Sequence, residues 1–207
     1  MATPLDRREV ILERAADLFA RQGVAATTVR EIAEAVGILS GSLYHHFASK
    51  DDIVDAIVSG FMADLVHRYD AVLAAGSGPA DRLRGLVLAS LETVADHPHA
   101  TEIYQKDERY LQAADGPSVV RQSARAVRTA WTSVLKAGVA DGVFRSDIPV
   151  KVMYPLLRDG LWLTARWFTP TRDYGYAQLA EDYVKVFLQG ITGAADAATP
   201  TTPTRRR

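Results

Sequence analysis

The sequence predicts an all-α protein of about nine helices, on three observations. Apolar residues recur every three or four positions along most of the chain, the spacing of one helix face. No stretch alternates at period two for long enough to make a strand. Gly and Pro punctuate the pattern where helices would end. With 48% hydrophobic and 24% charged residues among 207, the composition is that of a soluble globular chain.

The elements follow in order. Ile11, Leu12, Ala15, Ala16, Leu18 and Phe19 face one way on a first helix, which Gly23 can close with a left-handed cap. Thr27 or Thr28 caps the second, with Glu31 completing a capping box three positions after Thr28. Val29, Ile32, Ala33 and Val36 are its inner face, and Gly37 breaks it. A short third helix spans roughly Ser40–Phe47. Ser49 or Asp51 opens a long fourth helix through Ile53, Ile57, Phe61, Leu65 and Tyr69. After the Gly76-Ser77-Gly78-Pro79 loop, Leu83, Leu86, Val87, Ser90, Leu91 and Val94 trace the fifth. Pro98 marks a break or a first-turn proline, and Ile103, Tyr104 and Tyr110 belong to the sixth, ended near Gly116-Pro117. Val120, Ala124, Val127, Trp131, Val134 and Gly138 form the seventh, closed by Asp141-Gly142. Asp147-Ile148-Pro149 starts the eighth, one helix from Met153 to Phe168, and Ala177 to Gly193 is the last. Residues 194–207, rich in Ala, Thr and Pro, read as a disordered tail.

Several function classes drop out. The absence of cysteine removes disulfides, thiolate zinc sites and cysteine nucleophiles, and it fits a reducing compartment. Met1–Arg8 lacks the apolar core of a signal peptide, and no uninterrupted apolar run nears the ~20 residues of a membrane span. The expectation is a cytoplasmic protein without membrane partner, metal or cofactor. Net charge is −1, and residues 1–50 balance six Lys/Arg against six Asp/Glu. Bulk charge therefore gives no push toward nucleic acid, and any case for DNA rests on pattern.

That pattern lies between Thr27 and Phe47. Two helices joined by a short Gly-containing turn make a helix-turn-helix, whose second helix enters the major groove. Gly41 and Ser42 let the backbone approach closely, Tyr44 and His45 offer polar and aromatic contacts, and Leu43 and Phe47 anchor the helix to the body. Thr28 can present its hydroxyl and N–H to a phosphate, and Lys50 is a natural phosphate contact. Tyr44 also has a bland reading as a core aromatic. His45-His46 point different ways and lack two further zinc ligands; His97 and His99 lack carboxylates at ligand spacing.

The words TTVREIAEAVG, GSLYHHF and SKDDI, in this order and spacing, resemble the TetR family of one-component repressors. The resemblance implies an all-α homodimer whose N-terminal three-helix domain, residues 1–50, reads a palindromic double-stranded DNA operator. Residues 51–193 would form the ligand-binding and dimerisation bundle. By position Ser40, Gly41, Tyr44 and His45 would face bases, and Thr28, Ser42, His46 and Lys50 the DNA backbone. One departure stands out: Gly37-Ile38-Leu39-Ser40-Gly41 has Leu39 where many members place a capping Ser.

In the larger unit Arg158, Trp162 and Arg166 recur four apart on one side of the eighth helix. Two guanidiniums flanking an indole suit a ligand with anionic groups and a flat ring, such as a coenzyme A ester. Solvated arginines, or a dimer face holding Trp162, account for the same spacing. The Ala26–Lys50 block, the Ile103-Tyr104-Gln105 region and the RDGLW…ARWF segment resemble one actinobacterial subgroup, repressors of steroid ring catabolism. That likeness implies a CoA-thioester inducer touching Arg158, Trp162 and Arg166. Tyr104, Gln105, Trp131 and Tyr154 are candidates to orient an acyl carbonyl, or are satisfied core and surface residues. The apolar stripe of 180–191, with that of 152–168, would give a four-helix dimer interface when doubled, or is the core of a single chain. A helix from Asp51 to about Ala74 would carry the ligand's effect to the reader. The rivals are a DNA-binding regulator without a small ligand, an activator, and an all-α enzyme acting on acyl-CoA, for which no catalytic constellation is visible.

Overall fold

The computed structural model describes residues 6–76, 78–113 and 119–189, with no account of side chains at 107–113 and 165. Among the described residues there are nine α-helices, one 3-10 turn and no strand. The helices are α1 (Arg7–Gln22), α2 (Val29–Val36), α3 (Ser40–Leu43), α4 (Lys50–Ala74), α5 (Pro79–Asp96), α6 (Pro98–Ala113), α7 (Val119–Ala140), α8 (Val150–Trp162) and α9 (Tyr176–Gln189). No described helix is long and apolar enough to cross a membrane. The expected tail at 194–207, the break at Gly116-Pro117 and the end of α9 at Gly193 lie outside the described residues.

The reader forms because its ends are capped and its inner faces agree. Asp6 and Glu9 make a reciprocal capping box at the start of α1. Thr28 and Glu31 do the same for α2. Gly37 sits at φ +74°, a left-handed position that costs glycine nothing, and so turns the chain sharply from α2 toward α3. Ile11, Phe19, Ile32, Leu43 and Phe47, all nearly inaccessible, fill the space between these helices. The guanidinium of Arg8 lies 4.8 Å from the centre of the Phe47 ring. Ser49 caps α4 by accepting from the amide of Asp52.

Behind the reader, α4, α5 and α7 bury Leu65, Tyr69, Leu86, Val87, Trp131 and Val134. A hydrogen-bond chain runs through this core. The Trp131 indole donates to the Tyr69 hydroxyl at 2.8 Å, and Ser90 donates to the Leu86 carbonyl at 2.7 Å. Tyr69 must then be the donor in its bond to Ser90, and every polar atom of the chain is satisfied. Burial pushes the Tyr69 hydroxyl pKa up, so it stays protonated as a donor.

Two expected boundaries are corrected. The third helix keeps helical geometry only for Ser40–Leu43; the amides of His45 and His46 then bond three residues back, to Ser42 and Leu43. Leu39 offers no side-chain cap, and so short a helix tightens into turns at its end. The expected single helix from Met153 to Phe168 is instead α8 followed by the 3-10 turn Leu163–Arg166. The buried Thr164 hydroxyl donates to the Leu161 carbonyl at 2.6 Å, taking an acceptor at the helix end.

Candidate DNA-reading surface and sensor cavity

On the reader, Gly41, Tyr44, His45 and His46 are exposed, and Ser40 and Ser42 are half-buried. Tyr44 keeps 55% of its surface in water, which removes its reading as a core aromatic. Leu43 and Phe47 are the residues that tie this segment down. Leu39 stands at the leading edge of α3 with 80% of its surface exposed, more than any other large apolar side chain among the described residues. The missing cap was visible in sequence; the direction of its side chain was not.

Two of the residues expected to face the DNA backbone carry intrachain hydrogen bonds. The Thr28 amide and hydroxyl both donate to the Glu31 carboxylate at 2.7 Å, so neither donor is free for a phosphate. Those bonds hold the Glu31 carboxyl below its ordinary pKa. The Lys50 ammonium donates to the carbonyls of Val24 at 2.7 Å and Thr27 at 2.9 Å. Its first role is to pin the loop that enters α2.

In the sensor, Arg158, Trp162 and Arg166 do converge, together with Tyr104 and Gln105, on one cavity of about 370 Å3. Met62 of α4 lines it as well. Trp162 packs against the rings of Phe61 at 5.6 Å and Tyr104 at 5.7 Å between centroids. Gln105 donates its amide to the Trp162 carbonyl at 2.8 Å, which fixes the end of α8 against α6. Tyr154 is buried and lines the same cavity. Arg158 and Arg128 approach its ring from 5.6 and 5.8 Å. Burial raises the Tyr154 hydroxyl pKa despite the nearby Arg158 charge. Burial works against the Arg158 charge, but Asp159, bonded at 2.7 Å, and the Tyr154 hydroxyl together outweigh it and raise the guanidinium pKa.

Trp131 is not part of this lining. It is 1% exposed and its indole N–H is spent on Tyr69, so it is core. Arg128 was missed by sequence reasoning. It lies one position beyond Val127 on the stripe of α7, and only the packing of α7 on α8 turns it to the cavity. The cavity thus combines three guanidiniums, of which Arg158 alone has a carboxylate neighbour among the described residues, with three aromatic walls. This suits an anion attached to a flat or apolar body.

A capped helix-turn-helix on a helical sensor with a cavity is the architecture of a ligand-responsive DNA-binding regulator. Residues 11–57 match the family model described as bacterial regulatory proteins, tetR family, and residues 76–191 match that of the tetracyclin repressor-like C-terminal domain. The chain belongs to the TetR family of bacterial regulatory proteins. It is 42% identical over 185 residues to the HTH-type transcriptional repressor KstR2 of Rhodococcus jostii, covering 89% of this chain and 91% of that one. Against KstR2 of Mycobacterium tuberculosis it is 40% identical over 186 residues, 90% and 93% of the two chains. The solved structure of that ketosteroid transcriptional regulator superposes with a TM-score of 0.82 at 39% identity, covering 92% of this chain and 97% of the other. The protein is a transcriptional regulator and not an enzyme; its family binds DNA operators, dimerises and answers to small molecules.

Proposed function

We propose that this chain is a cytoplasmic repressor that holds a palindromic operator as a homodimer and is released by an acyl-CoA thioester of steroid breakdown. The observation that carries the inducer class is the cavity itself: Arg128, Arg158 and Arg166 stand around Trp162, Tyr154 and Tyr104 against α4. Guanidiniums bind phosphates and carboxylates in two-point contacts, and aromatic faces stack on a flat ring. A CoA ester has both parts. The relatives named KstR2, one described as a ketosteroid regulator, support the steroid assignment.

Residues 1–50 form the reader and 51–193 the sensor in this reading. Ser40, Gly41, Tyr44 and His45 address bases, and Ser42 and His46 the backbone. Exposed apolar side chains on α8 and α9 form the dimer face. The ligand shifts the equilibrium only as far as its affinity differs between the two forms. Met62 touches the cavity and Phe61 touches Trp162, so a ligand that displaces Trp162 acts directly on α4. That helix starts at Lys50, whose ammonium holds the reader's loop.

The test is a mobility shift on the DNA upstream of the protein's own gene, with acyl-CoAs and the matching free acids. CoA esters are expected to release the DNA and free acids to leave it bound. Arg158→Ala should raise the CoA ester concentration needed by about tenfold or more, the loss expected for one charge-assisted contact of roughly 1.5–3 kcal/mol. DNA binding indifferent to every CoA ester would remove the inducer assignment and leave the DNA reading standing.

A further inference from the structure

The corner between α1 and α2 is held by two lysines from two different sensor helices. Lys50, at the start of α4, donates to the Val24 and Thr27 carbonyls. Lys106, on α6, donates to the Ala20 carbonyl in the last turn of α1 at 2.9 Å. A cation suits that position, because the last carbonyls of a helix lack partners within it and carry its negative end. Glu102, one turn back on α6, holds the same ammonium at 2.6 Å.

The residue before Lys106 faces the sensor. Gln105 lines the arginine-lined cavity and donates to the Trp162 carbonyl at 2.8 Å, where α8 gives way to the 3-10 turn. Adjacent positions on a helix stand about 100° apart. One turn of α6 therefore grips the cavity wall on one side and the reader on another. Ala100 and Ile103, nearly inaccessible, seat this stretch of α6 in the core, and the helix packs on both α1 and α4. Its backbone hydrogen bonds make the turn one stiff piece, so a displacement of the Trp162 carbonyl moves both grips together.

We propose that Lys106 is a positioning residue, which carries movement of the cavity wall through Gln105 and α6 to the corner between α1 and α2. The proposal rests on the reading that the inducer enters the arginine-lined cavity and displaces Trp162. It adds a second connection to the one through α4. Lys50 moves with α4 and Lys106 with α6, and both hold the same corner. A shift of one sensor helix against the other thus turns the reader instead of merely loosening it.

The experiment is a double-mutant cycle on the intact, ligand-free protein, read by hydrogen–deuterium exchange of the amides at 20–28. Lys106→Met keeps the aliphatic stem and removes the donor, and should speed exchange there by about three- to tenfold, the worth of a half-exposed charged hydrogen bond. Gln105→Leu, which touches the reader nowhere, should speed it by about twofold or more. Added to Lys106→Met, it should have no further effect at 20–28. With Lys106→Arg, which keeps a cationic donor, its effect should persist. No response to Gln105→Leu at 20–28, equal responses with and without Lys106, or a rise spread equally over α9 would overturn the proposal. Failure of the parent reading looks different: CoA esters would leave wild-type DNA binding unchanged while the cycle still shows Gln105 acting through Lys106.

Discussion

The ammonium of Lys50 and the hydroxyl of Thr28 are both committed before any DNA arrives, the first to the Val24 and Thr27 carbonyls and the second to Glu31. The bond of Thr28 to Glu31 was legible as a capping box, whereas the partners of Lys50 were not, because they lie on the loop that leaves Gly23. Lys50→Met is therefore expected to lower Tm, by a loss of about 1–3 kcal/mol as the carbonyls lose a charged donor. The salt dependence of operator binding should stay unchanged, whereas loss of a true phosphate contact would reduce its slope by about one. Leu39 gives the opposite sign. Leu39→Ser restores a capping oxygen to α3 and removes an 80% exposed leucine, so thermal unfolding should show a gain of about 0.5–2 kcal/mol. Its operator preference should change as well, because an apolar side chain at that edge can meet thymine methyls that serine cannot.

At the scale of elements, the helices were legible wherever a stripe met an end signal: Gly23 after α1, the Thr28 capping box of α2 and Gly78-Pro79 before α5. The eighth was misread because an apolar stripe continues through Leu163, Thr164 and Phe168 while the backbone tightens under Thr164. Close contacts between elements were not legible at all. Gly138 on α7 leaves room for Phe144, whose ring would stand 2.0 Å from an added Cβ. The turn between them places Gly142 at φ +70°. Gly138→Ala should cost about 1–3 kcal/mol by overpacking, seen as a lower denaturant midpoint. A second contact joins α4 to the end of α5. Asp64 accepts from Arg68 and from His97, and Arg68 also holds Asp96. Burial works to raise the Asp64 carboxyl pKa, but Arg68 and His97 outweigh it and hold it below the ordinary carboxylate range. A depressed carboxyl stabilises the fold above its unfolded pKa, roughly 4, and the benefit is lost as pH falls through the folded value. Asp64→Asn should therefore lower Tm at neutral pH, and the gap to wild type should close on acidification below about pH 4.

The whole molecule poses the question of what covers its outer apolar surface. Val152 and Leu156 on α8, and Val186, Phe187 and Leu188 on α9, are exposed side chains of the kind a lone chain normally buries. The stripe of the last helix was read from sequence as a dimer face or as monomeric core; Leu179, Ala180 and Val184 are buried within the chain, and the neighbouring positions face outward. One stripe therefore serves both readings, which periodicity alone had no means to divide. Tyr183 joins the two helices by donating to the Leu157 carbonyl at 2.6 Å, so α8 and α9 present their outer residues as a unit. Two such pairs packed together would form a four-helix interface and set the spacing of the two readers. Leu156→Glu combined with Phe187→Glu places four charges in that interface while leaving the chain's own core untouched. The variant is expected to keep its helical circular dichroism and to run at one chain's mass in light scattering. Its affinity for a full palindrome should fall by about 10²–10⁴-fold, toward that for a single half-site, because the second reader no longer acts at high effective concentration. A variant that stays dimeric would move the interface elsewhere; a monomer that binds the palindrome as tightly as wild type would end the two-reader mechanism.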